Sequence, residues 1–280
     1  MESVGIEGVT ERRRLRSAPQ PSAHPLVSVV IPCLNEVAHL EPLLAVVREQ
    51  TVALHEVIVV DGGSRDGSQA LVRDYQQRHP DWPLRLVTGL RAGVAAAMNV
   101  GVSAASGDVI VRLDGHCKPR LDYVERSVAG LADERAGVVG GIWDVVAGRD
   151  TLVGHAIADV LSHTLATGGA DYRRSAEIGP PRAVDTVPFG CYRKSLWQQL
   201  GGYYEGELVS EDYLFNYRTR LTGARVILDP SIRCRYFAEG RLFRHFAPRS
   251  FKRRPSKGSF LLAYGSSLLR PNERHPRHSL

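Results

Sequence analysis

Residues 26–35 read LVSVVIPCLN, an apolar and mostly β-branched run that ends at a polar asparagine. An unbroken run of this kind is typical of a strand that is buried on both faces of a parallel sheet. Residues 36–50, EVAHLEPLLAVVREQ, then place apolar residues at helical spacing. This first strand and helix predict an α/β unit, and the fold class depends on how often the pair recurs.

The strand-helix pair recurs along the next 70 residues. Further strands are predicted in EVIVVDGGSRDGS (56–68), LRLVTG (84–89) and GDVIVRLDGH (107–116), and helices in SQALVRDYQQRH (68–79) and GVAAAMNVGVSAA (93–105). Regular alternation of this kind predicts an α/β fold with a mostly parallel central sheet flanked by helices.

The second half of the chain is less regular. It predicts a strand or hairpin in AGVVGGIWDVVAG (136–148), a helix and a loop in 151–180, a strand, turn and short helix in DTVPFGCYRKSLWQQLGGY (185–203), and a helix with an acidic start followed by the strand RVIL in 210–228. We expect one domain over 26–232, divided into two halves, 26–120 and 121–232.

The composition, with 43% hydrophobic and 24% charged residues, is that of an ordinary soluble globular protein. The sequence contains no run of about 18 apolar residues, so it predicts no transmembrane helix. Residues 1–25 hold four arginines and three prolines with no apolar segment behind them, which indicates a flexible leader and not a signal peptide. The four cysteines are widely spaced, which argues against a zinc knuckle and a disulfide framework and favours the reducing cytoplasm.

The positive charge is concentrated in the C-terminal segment 233–280. This segment has 12 lysine and arginine residues against two glutamates, a net charge of +10, whereas the whole chain carries +6 and residues 1–232 therefore −4. An acidic body with a basic tail does not suit nucleic-acid binding. The tail favours contact with an anionic surface at the inner face of the cell membrane, and the alternative is a solvated charged terminus.

Polar residues follow three of the predicted strands. They are Asn35 and Glu36, then Asp61, then Asp114 and His116. In open α/β sheets ligands bind beyond the carboxyl ends of the strands. A carboxylate such as Asp61 could accept hydrogen bonds from a nucleobase or ribose, although Asp-Gly is also a common turn. Neither GxxxxGK[ST] nor GxGxxG occurs around this residue.

The piece LDGH (113–116) has two interpretations. In an extended segment Asp114 and His116 would point to one side, where a carboxylate and an imidazole could bind a divalent cation shared with a diphosphate. The alternative is an ordinary surface turn. Glu211 and Asp212 are likewise either a general base for a hydroxyl nucleophile or simple helix capping.

Five stretches in order resemble the family 2 glycosyltransferases, inverting enzymes with the GT-A fold. The stretches are VSVVIPCLNE, EVIVVDGGSRDGS, GVAAAMNVGVSAASGDVIVRLDGH, VPFGCYRKSLWQQLGGY and SEDYLFNYRTRLTG. The pieces DGH, TVPFG and EDYLFNYR are most similar to the succinoglycan-biosynthesis-type branch. The resemblance implies a hexosyltransferase-like enzyme of polysaccharide or glycolipid synthesis, with a nucleotide-sugar donor, UDP-sugars being favoured, and a hydroxyl acceptor such as a polyprenyl- or lipid-linked glycan.

The resemblance makes 26–120 the nucleotide-sugar half and 121–232 the acceptor half with the catalytic base, and it also assigns roles to individual residues. The nucleotide-sugar pocket would include Pro32, Asn35, Glu36, Asp61, Arg91 and Asp114. Asp212 would be the catalytic base with Glu211 beside it, and Asp114 and His116 would hold Mn2+ or Mg2+.

The sequence departs from the family pattern at two places. His116 replaces the second aspartate of the usual DxD motif, and RYFAEGRLFRHF (235–246) only partly resembles the QxxRW region. These departures keep a second hypothesis open, that of a catalytically silent nucleotide-sugar-binding or partner-binding module. A nucleotidyltransferase is the third hypothesis, but the Gly-rich loop of that class is missing after the first strand.

Overall fold

The computed structural model describes residues 25–89, 93–148, 150–162, 172, 179–205 and 211–238 of the 280-residue chain. The predicted leader before Pro25 and the tail beyond Ala238 lie outside these residues. The strands are β1 (Val27–Cys33), β2 (Glu56–Asp61), β3 (Leu84–Val87), β4 (Val109–Arg112), β5 (Cys117–Pro119), β6 (Ala136–Ala147), β7 (Arg182–Ala183), β8 (Cys191–Arg193) and β9 (Arg225–Ala238). The helices are α1 (Val37–Arg48), α2 (Ser68–Arg78), α3 (Val94–Ala104), α4 (Tyr123–Ala129), α5 (Leu152–Ser162), α6 (Lys194–Leu200) and α7 (Glu211–Leu221).

All nine of these strands form a single sheet in the order β3-β2-β1-β4-β8-β6-β9-β5, with β7 paired to β9. The β3-β2-β1-β4 part is parallel. Beyond it β8 runs antiparallel to both β4 and β6, and β6 pairs in parallel with β9. The predicted α/β class is confirmed, and the parallel part corresponds to the alternating first half of the sequence.

Two apolar cores lie on opposite faces of the sheet, because successive side chains of a strand point to opposite sides. Val29 of β1 belongs to the core that includes α1, whereas Val30 belongs to the core that includes α3. Gly101 allows α3 to approach the sheet closely, since a Cβ atom there would lie 2.4 Å from a methyl carbon of Val30. This close packing holds α3 against the parallel strands. The carboxyl ends of these strands share one edge of the sheet.

The second half of the chain differs from the prediction in two elements. The predicted short strand RVIL is the beginning of β9, a strand of 14 residues that extends beyond position 233, where the basic segment was expected to begin. The strand predicted in 185–203 is formed only over the three residues of β8. It begins at Cys191, after Phe189, whose φ of +46° lies outside the β region.

The short helix in 185–203 and the unpaired cysteines agree with the expectations from the sequence. The helix α6 ends at Leu200, and Gly201 follows it in the left-handed conformation expected of a helix C-cap. All four cysteines are buried and none forms a disulfide. Among the described residues, no helix is both long and apolar enough to cross a membrane.

Candidate active site

The polar residues predicted at the strand ends lie along one edge of the sheet. Asp61 is the last residue of β2, Asn35 and Glu36 connect β1 to α1, and Asp114 follows β4 by two residues. The strands β1, β2 and β4 are parallel neighbours, so their carboxyl ends meet at this edge. The parallel sheet therefore places the residues that were predicted to bind the nucleotide sugar at the edge where ligands bind in such folds.

Arg112, the last residue of β4, is the centre of a cluster of charged side chains. Its side chain is only 2% exposed, and its Nε donates to Oδ1 of Asp114 over 2.9 Å. Its Nη2 donates to Oε1 of Glu211, also over 2.9 Å, and its Nη1 donates to Oδ1 of Asp212. One guanidinium thus joins the strand-end carboxylate to the two carboxylates at the start of α7.

The charges of this cluster do not balance, because three carboxylates surround one guanidinium. Burial alone would lower the pKa of Arg112, but the attraction of Asp114, Asp212 and Glu211 raises it, so Arg112 is charged at every physiological pH. Burial raises the pKa of Asp212 to about 8, with Arg112 opposing the shift and the repulsion from Glu211 and Asp114 adding to it. Asp212 therefore has the proton affinity of a general base that works near neutral pH.

Of the two interpretations of LDGH, the structure shows the turn and not the extended segment. The backbone N–H of Cys117 donates to the carbonyl of Asp114 over 3.2 Å, which closes the turn. The turn packs on the side chain of Glu36, because a Cβ atom on Gly115 would lie 2.8 Å from Glu36 Cγ. As a result Asp114 contacts Arg112, whereas His116 contacts Glu36 through its Nδ1 atom at 2.9 Å from Oε1.

The side chains of Asp114 and His116 in this turn are of types that can bind a divalent cation. Within the described part of the chain, no group of three or more His, Cys, Asp or Glu side chains is arranged to hold a metal ion. Asp114 and His116 would supply two ligands, and Mn2+ or Mg2+ commonly takes further oxygens from substrate phosphates and water. The pair of Glu36 and His116 resembles the carboxylate–histidine pairs that orient metal-binding imidazoles.

Asp61 is held rigidly through one of its two carboxylate oxygens. Its Oδ1 accepts hydrogen bonds from the backbone N–H groups of Gly63 and Ser64 at 2.9 Å and from Nε2 of Gln69 at 2.7 Å. Burial alone would raise the pKa of Asp61, but the hydrogen bonds from Ser64, Gln69 and Gly63 lower it, so the carboxylate is ionised. Its Oδ2 is buried and makes no hydrogen bond, which leaves an acceptor for a ligand N–H or O–H group.

The other predicted nucleotide residues differ in their positions. Asn35 joins two loops, since its N–H donates to Ser64 Oγ and its Oδ1 accepts from the N–H of Arg65. Pro32 is buried inside β1 opposite Val60. Arg91 lies outside the described residues.

Arg112 is the residue of the site that the sequence analysis missed. The signal was a lone arginine inside the apolar strand VIVRLD (109–114), where a charged side chain is unexpected unless it is paired. Its partners Glu211 and Asp212 are about 100 positions further along the chain, so spacing alone could not identify them.

Residues 28–201, more than half of the chain, match the family model described as Glycosyl transferase family 2. The chain belongs to this family. The matched region ends before α7, so Glu211 and Asp212 lie beyond it.

Two relatives and one solved structure illustrate the similarity. The chain is 30% identical over 223 residues to the succinoglycan biosynthesis protein ExoA of Rhizobium meliloti, which covers 76% of this chain and 64% of ExoA. It is 34% identical over 122 residues to the glycosyltransferase AglE of Haloferax volcanii, which covers 43% of this chain and 40% of AglE. The chain thus spans less than two thirds of the length of either relative.

The solved structure is the mannosyltransferase PcManGT from Pyrobaculum calidifontis in complex with GDP-Man and Mn2+. The two structures are similar with a TM-score of 0.64, and their sequences are 24% identical. The similarity covers 92% of this chain and 68% of the mannosyltransferase chain. The expected GT-A fold and the resemblance to the succinoglycan-type branch are thereby confirmed.

Proposed function

We propose that this protein is an inverting glycosyltransferase that moves a sugar from a nucleotide-diphosphate sugar to a hydroxyl acceptor. The observation that carries the proposal is the contact of one buried arginine, Arg112, with Asp114 at the donor edge and with Asp212 on α7. We therefore place the donor diphosphate beside Asp114, next to the carboxylate base Asp212 that would take the proton of the acceptor. UDP is the favoured nucleotide because it is common in the family.

The transfer needs one proton acceptor and one leaving group. Asp212 takes the proton from the acceptor hydroxyl, and the acceptor oxygen forms a bond to the anomeric carbon from the face opposite the diphosphate. The bond between the anomeric carbon and the diphosphate oxygen breaks, and its electron pair leaves with the nucleoside diphosphate. Attack from the opposite face inverts the configuration at the anomeric carbon.

Asp114 and His116 would hold the divalent cation, and Glu36 would orient the imidazole of His116. When bound, the cation offsets the negative charge that develops on the departing diphosphate. Asp61 would accept a hydrogen bond from the nucleotide through Oδ2, which is buried and without a hydrogen-bond partner.

The proposed acceptor is a polyprenyl- or lipid-linked glycan at an anionic membrane surface. The support for this is the net charge of +10 on residues 233–280. In the full chain, replacing Lys252, Arg253 and Arg254 with alanine should weaken binding to phosphatidylglycerol vesicles by about 100-fold, since each charge contributes roughly 1 kcal/mol. Unchanged vesicle binding, or equal binding to phosphatidylcholine vesicles, would reject the membrane role.

The catalytic proposal is tested by calorimetric titration of UDP and GDP with Mn2+ or EDTA, together with the release of nucleotide from UDP-hexoses and GDP-mannose. We expect Asp212→Asn to reduce release by a factor of about 100 to 10,000 while the nucleotide affinity remains within about threefold. The matched control is Asp185→Asn, which removes a carboxylate that pairs with Arg220 on the same helix α7. Nucleotide binding without release by the unmodified protein would favour the silent binding module instead.

A further inference from the structure

The three carboxylates around Arg112 contact all three nitrogen atoms of its guanidinium: Nε and Nη2 for Asp114, Nη1 for Asp212 and Nη2 for Glu211. We propose that Arg112 is a positioning residue that fixes the base Asp212 relative to the donor-side carboxylate Asp114. This inference rests on the proposed transfer reaction and adds a role for a residue outside its reacting groups.

The guanidinium is well suited to this task because it is planar and presents its donors in a rigid fork. Arg112 itself is held in β4, and its backbone N–H donates to the carbonyl of Gly190 over 3.3 Å. The guanidinium is thus fixed at the end of a central strand, and from there it contacts the carboxylates in the first turn of α7. Asp212 therefore does not depend on its own helix alone for its position.

Charge neutralisation by itself would not require this arrangement. A buried arginine needs one carboxylate to balance its charge, whereas Arg112 contacts three carboxyl groups. Surplus negative charge in a buried site costs stability. The arrangement is explained if the carboxylates are needed for other purposes and the arginine holds them together.

A positioning residue acts through the group that it positions, which makes the inference testable by a double-mutant cycle. Lysine at position 112 keeps the charge but presents a single nitrogen, so it cannot hold Asp114 and Asp212 in one fixed geometry. We expect Arg112→Lys to lower kcat for nucleotide release by about 100-fold, the effect of a displacement of about 1 Å in a reacting group. In an Asp212→Asn background the same change should lower kcat by less than about threefold.

The matched control is Arg193→Lys on β8. Arg193 is also a partly buried strand arginine, but its guanidinium holds the backbone carbonyls of Leu131 and Ala136 and lies at the other end of the β4–β8 pair. We expect this change to leave kcat within about threefold. Losses of kcat that multiply in the Arg112→Lys/Asp212→Asn variant, or an unchanged kcat in Arg112→Lys, would overturn the inference.

A variant that balances charge covers the case in which Arg112→Lys does not fold. Arg112→Gln combined with Glu211→Gln removes one positive and one negative charge, so the cluster keeps its net charge. We expect this double variant to lose about 100-fold in kcat, while Glu211→Gln alone loses less than about 10-fold. Equal kcat for the two variants would overturn the inference. Absence of nucleotide release by the unmodified protein from every donor would reject the proposed function and this inference together.

Discussion

The Nδ1 atom of His116 lies 2.9 Å from Oε1 of Glu36, a residue 80 positions earlier in the chain. Because a carboxylate only accepts hydrogen bonds, a neutral imidazole in this contact carries its proton on Nδ1. The family resemblance assigns Glu36 to the nucleotide pocket. From its contact with His116 we propose that Glu36 also orients this imidazole.

Replacing Glu36 with alanine should weaken Mn2+ binding in the presence of UDP by about 10- to 100-fold, the usual effect of losing a residue that orients a ligand. Glu36→Gln should recover part of the affinity, since its amide oxygen still accepts from Nδ1. Isothermal titration gives the affinity, and the 15N shifts of the His116 ring report the tautomer. The control is Glu41→Ala on the following helix α1, whose carboxylate pairs with Arg78. An unaltered tautomer in Glu36→Ala would contradict the assigned role.

Gly115→Ala tests the same contact from the other side. The new Cβ atom would lie 2.8 Å from Glu36 Cγ, and the flexible glutamate side chain would have to move. We expect Mn2+ affinity to fall by more than about fivefold, while the free energy of unfolding in urea falls by about 1 kcal/mol or less. Gly93→Ala is the matched control, because no atom lies within 4 Å of a Cβ at that position. A large loss of stability without loss of Mn2+ affinity would show that the turn is purely structural.

Asp61→Asn should weaken UDP binding by about 10-fold. The substitution removes a charge-assisted acceptor, and hydrogen bonds to charged groups contribute roughly 1.5–3 kcal/mol. The comparison is Asp66→Asn in the same loop, whose carboxylate accepts from the N–H groups of Val37 and Ser68. That variant should lose thermal stability but keep its UDP affinity. Equal UDP affinity in Asp61→Asn and the unmodified protein would exclude Asp61 from the nucleotide site.

The rate of nucleotide release should rise with pH. A base must be ionised to accept a proton, and burial raises the pKa of Asp212 to about 8. We therefore expect kcat/KM to increase up to about pH 8 and to level off above it. Glu211→Gln removes one of the repelling charges and should move the midpoint to lower pH. A pH-independent kcat/KM between about pH 6 and 9 would rule out Asp212 as the titrating base.

Glu56 should contribute to stability in a pH-dependent manner. Burial alone would raise its pKa, but hydrogen bonds from Ser106, Ser28 and Arg85 lower it from 4.5 to about 2. A carboxylate whose pKa is lower in the folded state stabilises the protein above pH 4.5, and this stabilisation is lost as the pH falls towards 2. The shift corresponds to about 3 kcal/mol.

Urea unfolding at about pH 7 and pH 3 measures this contribution. In Glu56→Gln the difference in unfolding free energy between the two pH values should be smaller than in the unmodified protein. The control is Glu49→Gln, which changes an exposed glutamate. An equal pH dependence of the unmodified protein and Glu56→Gln would refute the contribution of Glu56.

The sequence was most informative where local pattern and fold agree. The strands β1, β2 and β4 are buried on both faces, so their composition alone predicted a parallel sheet and the edge at which Asp61 and Asp114 lie. The site itself depends on contacts between distant residues. The contacts of Arg112 with α7 and of His116 with Glu36 span 80 to 100 positions, and no local pattern encodes them.

The outcome at two stretches could not be decided from local pattern. Of the two interpretations of LDGH, the structure shows the turn, closed by the N–H of Cys117 donating to the carbonyl of Asp114. The strand predicted in 185–203 is limited to β8, since Phe189 adopts a positive φ just before it. A strand-forming composition alone does not determine where a strand begins.

The separation of 100 positions between Arg112 and Asp212 has a consequence for the protein during its synthesis. A growing chain acquires β1, β2 and β4 long before α7 is made, and the ion-pair cluster is absent from any fragment that stops before residue 211. Such a fragment would lack both the proposed base Asp212 and the strand β9, which pairs with β5, β6 and β7. Premature termination of translation should therefore yield fragments that do not consume the activated sugar.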